Sequence, residues 1–107
     1  METKRAYKAK KDDKEFIVIG NKKGEGFERV SGPVFSPDSK RVAFSAYENG
    51  KSFIVVDGKK GEQFDWTQFP VFSPDGKSVA YWAVKDGKKF IVVGDKKGEE
   101  FDSIGFG

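Results

Sequence analysis

The side chains of this chain that could do chemistry are carboxylates, amines and a few aromatic rings, because it contains no cysteine and no histidine. That removes thiol nucleophiles, disulfide frameworks, Cys/His zinc sites and every His-dependent triad. Asp38 and Asp75 sit in Ser-Pro-Asp segments where a turn is expected, and an Asp there bonds nearby backbone N–H groups. Asp65 and Asp102 each follow a Phe and could face a cleft. Paired carboxylates hydrolyse glycosides when about 5–9.5 Å apart, but nothing in the spacing sets such a pair. The sequence therefore assigns no catalytic residue, no cofactor and no metal ligand. The amines recur as Lys22/Lys23, Lys59/Lys60 and Lys96/Lys97, with Glu25, Glu62 and Glu99 two residues beyond each pair. A basic rim blunted in this way reads as solvated hairpin surface, with no nucleic-acid partner expected.

These residues are copies of one another, spaced by 37. Phe16, Phe53 and Phe90 keep that spacing, as do Phe27, Phe64 and Phe101. Residues 14–50 and 51–87 match without a gap at 20 of 37 positions, and 88–107 match 51–70 at 12 of 20. A fixed period of this size means stacked supersecondary units, none of which buries its apolar face alone.

Each unit divides into four short strands. The first, Gly32–Pro37 and Phe69–Pro74, is apolar on both faces and ends in a Pro-Asp turn. The second, Arg41–Tyr47 and Ser78–Val84, runs into Asn49-Gly50 or Asp86-Gly87, pairs that tolerate the positive φ of a two-residue hairpin. The third, Phe16–Ile19, Phe53–Val56 and Phe90–Val93, is a β-branched run that needs cover on both faces. A Lys-Lys-Gly turn then leads to a fourth strand near Gly26–Val30, Gln63–Thr67 and Glu100–Ile104, read as an outer edge protected by charge. No segment shows a sustained 3.6 period, so no substantial helix is expected. Three apolar inner strands and one polar outer strand describe a propeller-type blade. The same hairpins could also build a sandwich or barrel, although those rarely repeat in sequence without a gap.

Composition agrees. Charged residues make up 35% of 107, yet eleven Phe must be buried somewhere, which argues against disorder. The net charge of +3 is mild, and Lys lies near Glu or Asp almost throughout. The absence of an apolar leader or span favours a soluble, cytoplasmic protein with no membrane partner.

Phe72-Ser73-Pro74-Asp75-Gly76-Lys77-Ser78-Val79-Ala80-Tyr81, with Phe35–Phe44 as its near copy, resembles the repeat signature of TolB-like β-propellers, relatives of WD repeats. The resemblance extends through the hairpin and the Phe-Ile-Val-Val strand. It implies an innermost Val-Phe-Ser-Pro strand beside the axis and an outermost Phe27-type strand. The Gly-His and Trp-Asp pairs of WD repeats are missing, so their His-centred network should be absent. Such propellers serve as interaction platforms, periplasmic components or lids over hydrolase domains, and fold alone does not choose among these.

The fold expected is all-β, with about three four-stranded antiparallel blades. An incomplete one spans 1–31, and full ones span 32–68 and 69–107. Propellers close with roughly four to eight blades, so self-association is expected to complete this one, as a homodimer of six blade positions closed by rotation. The copies differ most before the innermost strand: Arg29-Val30-Ser31-Gly32, Trp66-Thr67-Gln68-Phe69 and Ser103-Ile104-Gly105-Phe106. Arg29, Trp66, Phe69 and Phe106 are accordingly the candidate partner-binding residues, on the rim that carries the Asn-Gly and Asp-Gly hairpins. The competing reading has Trp66 and Phe69 sealing the junction between blades. Tyr47 and Trp82 are assigned to packing. The functional expectation is a non-catalytic interaction scaffold that assembles with itself and another protein. The alternatives are an accessory propeller of a carbohydrate-active or hydrolase system using surface carboxylates, and a fragment without function of its own.

Overall fold

In a computed structural model that describes residues 5–68, 70–94 and 96–98, the chain folds into three antiparallel β-sheets, with no helix among those residues. The first sheet holds β1 (Ala6–Lys11), β2 (Lys14–Ile19) and β3 (Lys22–Lys23). The second holds β4 (Arg29–Phe35), β5 (Val42–Glu48), β6 (Lys51–Val56) and β7 (Lys59–Lys60), in that spatial order. The third repeats this plan with its leading strand divided. Both β8 (Trp66–Thr67) and β9 (Val71–Phe72) pair with β10 (Val79–Lys85), followed by β11 (Lys88–Val93) and β12 (Lys96–Lys97).

The turns follow from the residues that make them. Asn49 and Gly50, like Asp86 and Gly87, all have positive φ, between 53° and 77°, as a hairpin whose twist matches its strands requires. Asp12 and Asp13 close the first hairpin in the same way, with φ of 54° and 65°. In the Ser-Pro-Asp turns, Asp38 Oδ1 accepts from Ser36 Oγ (2.6 Å) and Lys40 N (3.0 Å), and Asp75 Oδ1 accepts from Ser73 Oγ (2.5 Å) and Lys77 N (3.0 Å). The expected turn role of both carboxylates is therefore what the structure shows.

Two buried clusters hold the sheets face to face. The first joins Ile17 and Phe27 to Val30, Phe44, Ala46, Phe53 and Val55 of the second sheet. The second joins Ile54 and Phe64 to Val79, Tyr81, Ala83, Phe90 and Val92 of the third. Six members of one cluster map onto the other by adding 37, so the junction between sheets is one interface used twice. Edge-on ring pairs recur with it, Phe27–Phe53 at 5.5 Å and Phe64–Phe90 at 5.6 Å, a geometry favoured by the ring quadrupoles.

The outer part of the unit differs from expectation. The Lys pairs lie in strands, not in a turn, and the fourth strand is only those two residues plus a single bridge from Phe27 to Glu15, or from Phe64 to Ser52. Phe27 and Phe64 are fully buried between sheets and do not lie on a charged edge. Arg29–Val30 and Trp66–Thr67 instead open the leading strand of the next sheet, three residues before the expected start. The physical reason lies at Gly32. Its φ of 112° and the register slip between Ser31 and Val34 let β4 pass through Gly-Pro without ending. The third outer strand, Glu100–Ile104, lies outside the described residues.

Candidate functional site

Arg29 of β4 stands opposite Tyr47 of β5, and Ser31 stands opposite Ser45. Strand alternation puts all four on the face of the second sheet that looks toward the third. With Ser52, Thr67 and the edge of Trp66 they border a cleft of about 400 Å³ between these sheets. Ser52 and Thr67, both buried, share a hydrogen bond at its floor. The corresponding place between the first and second sheets is filled by charge. There Glu15 Oε1 accepts from Val30 N at 2.9 Å and lies 3.8 Å from Lys8 Nζ. Only the second junction thus combines hydroxyls, a Tyr and a guanidinium at an open rim, among the described residues.

The structure separates the candidate residues that the sequence grouped. Arg29 and Trp66 both border the cleft, but they occupy equivalent positions in successive sheets. Thr67 and Ala83 are paired and buried toward the second sheet, so alternation assigns Trp66 and its partner Val84 to the opposite face. Trp66 is 52% exposed there. Phe69 and Phe106 lie outside the described residues. Tyr47, assigned to packing, is 40% exposed and lines the cleft beside Arg29. Its position directly across the hairpin from Arg29 is the signal that would have found it.

The far face of the third sheet is a second candidate surface. By alternation it carries Trp66, Trp82, Val84, Ile91 and Val93, of which Ile91 is 36% and Val93 50% exposed. The equivalent positions on the second sheet, which pack against a neighbour, are Arg29, Ser45, Tyr47, Ile54 and Val56. An exposed apolar cluster of this kind marks an interaction surface more often than a solvated one. The opposite end of the stack is less open. Tyr7 is 53% exposed, whereas Phe16 and Val18 are buried, with Lys23 Nζ 5.0 Å from the Phe16 ring centroid.

Charge ties the sheets at the rim opposite the hairpins. Lys60 Nζ reaches Glu25 of the preceding unit at 2.8 Å and sits over Phe27 at 5.6 Å. One period later Lys97 Nζ reaches Glu62 at 2.7 Å and sits over Phe64 at 5.8 Å. The Lys97 bond holds Glu62 below the usual carboxylate range. Glu25 and Glu62 do more than blunt the lysines locally, since each binds the lysine of the following unit. Arg41 adds a clamp found at one junction among the described residues. Its Nε donates to Asp57 Oδ2 at 2.8 Å, and Nη1 donates to the carbonyls of Gly76 and Lys77 at 3.0 and 3.2 Å.

Asp65 is committed as well. It accepts from Lys51 Nζ and from Asp86 N, both at 2.9 Å, and the Lys51 bond first and the Asp86 amide second lower its pKa. Asp102 lies outside the described residues. Among the described residues no group of three potential metal-ligating side chains is gathered. No protein family, curated relative or solved structure matches the chain.

Proposed function

We propose that this chain is a non-catalytic repeat protein of the β-propeller type, its sheets acting as successive TolB-like blades, which assembles with itself and presents a rim to a protein partner. The observation that carries the reading is the doubly used junction: Ile17, Phe27, Phe44, Ala46, Phe53 and Val55 recur as Ile54, Phe64, Tyr81, Ala83, Phe90 and Val92 in the same roles. The equivalent surface of the third sheet exposes Trp66, Ile91 and Val93, which supports its use by a further unit. Rotational closure of two chains gives six blade positions within the usual range of roughly four to eight.

The rim reading is supported by Arg29 and Tyr47 standing together at the mouth of the cleft, since Arg and aromatic residues dominate protein-binding hot spots. The non-catalytic reading is supported by the commitment of Asp38, Asp75 and Asp65 to turns and ion pairs. Size-exclusion chromatography with light scattering tests the assembly at micromolar concentration. The expected mass is that of a dimer, with a melting temperature that rises with protein concentration. A monomer whose melting temperature ignores concentration overturns the proposal.

A further inference from the structure

We infer that the cleft between the second and third sheets is a carboxylate site, in which an acidic side chain of the protein partner takes the place that Glu15 holds between the first and second. The inference rests on the rim reading proposed above and adds the chemistry that the rim recognises.

The molecule supplies its own template. At the first junction the Glu15 carboxylate accepts from Val30 N at 2.9 Å and has Lys8 Nζ 3.8 Å away. One period later the positions of Glu15, Val30 and Lys8 are held by Ser52, Thr67 and Ser45. Replacing a Glu and a Lys by two Ser removes both long side chains and both charges, and a cleft of about 400 Å³ stands in their place. That volume lies within the range of small-ligand sites.

The donors of the first junction survive the exchange. Gln68 N donates to Trp82 O at 2.9 Å, so Thr67 and Ala83 form a pair without direct hydrogen bonds, and the Thr67 N–H turns away from β10. It is the equivalent of the Val30 N–H that meets Glu15, and it has no acceptor among the described residues. Ser45 lines the cleft and is only 8% exposed, yet its hydroxyl has no partner among the described residues. A buried hydroxyl left unpaired carries a free-energy cost that a polar ligand relieves. The cation that Lys8 contributes at the first junction comes here from Arg29 on the neighbouring strand. Arg29 has no carboxylate partner among the described residues, because the acids of that rim are engaged elsewhere: Glu28 with Asn49 N, Glu48 with Lys14 and Asp65 with Lys51. A guanidinium matches a carboxylate in a two-point contact, which favours an acid over a neutral amide. Tyr47, opposite Arg29 across the strands, walls the mouth.

The isotope-labelled full chain is titrated with N-acetylglutamate α-amide, or with its neutral glutamine counterpart, and followed by amide chemical shifts. The glutamate compound should move the Ser45 and Thr67 amides along a saturable curve, in the millimolar range expected of so small a ligand. The glutamine compound should not saturate. Arg29→Gln should raise the dissociation constant about tenfold or more, the loss expected for one charge-assisted hydrogen bond. A Ser45→Lys/Ser52→Glu double variant, which copies the first junction, should close the site. Equal binding of the two compounds, an unchanged constant in Arg29→Gln, continued binding by the double variant, or tighter saturation by inorganic phosphate overturns the inference. So does the absence of saturable shifts in a folded chain. Light scattering on the same samples keeps the two readings apart, because the cleft lies within one copy. A monomer that binds the glutamate compound removes self-association and leaves the site standing, whereas a dimer that does not bind it removes the site alone.

Discussion

Asp38 and Asp75 illustrate how a residue's neighbours decide its use. Each is flanked by a Ser whose hydroxyl donates to it and by an amide two residues on, and the hydroxyl first and the amide second hold both carboxyls below their usual range. Tyr81 is the opposite case. Burial first, and the charge of Glu62 second, push its phenol up to about 12 from an ordinary value near 10. Below about pH 10 the folded and unfolded chains both keep this proton and pH has no leverage. As pH rises from there toward about 12 the unfolded chain ionises first, so stability is lost across that window. Ultraviolet titration should therefore show a phenol that ionises later than free tyrosine and is missing in Tyr81→Phe. An ordinary titration for all three tyrosines would contradict the burial argument.

At the scale of elements, the hairpins show how conformation enters the stability of a strand pair. Gly87 has a φ of 77°, and a Cβ placed on it would meet nothing within 4 Å. A substitution there costs backbone strain without a clash, so Gly87→Val should destabilise by about 1 kcal/mol or more. An unchanged denaturant midpoint would count against it. The strands joined by this hairpin were legible from sequence to within two residues, because β-branched runs and Asn-Gly or Asp-Gly turns are local signals. The outer strand was not. Two lysines and one bridging Phe carry no alternation to read, and the burial of Phe27 depends on a neighbouring sheet that only the tertiary fold supplies. The candidate site was legible by half. Differences between copies pointed to Arg29 and Trp66, but an unassigned loop has no faces. Once β4 and β8 begin at these residues, the pleat turns equivalent side chains in one direction and so places them on different surfaces.

For the molecule as a whole, a junction used twice does not mean two equal junctions. Lys14–Glu48 and Lys60–Glu25 cross from the first sheet to the second, at 3.1 and 2.8 Å, with Glu15 Oε1 accepting from Val30 N at 2.9 Å. The second and third sheets share Glu62 with Lys97 and Lys85, the Ser52–Thr67 pair, and the reach of Arg41 to two carbonyls of the facing turn. Among the described residues the first sheet also has one strand fewer with which to cover its neighbour. Opening of the chain should therefore be ordered and should start at its N-terminal end, with β1 and β2 peeling away while the pair held by Arg41 stays shut. Deuterium exchange on the dissociated chain would record that order as rapid labelling of Tyr7–Val18 amides and slow labelling of those in β10 and β11. Uniform labelling would mean that the guanidinium latch confers no sequence of unravelling.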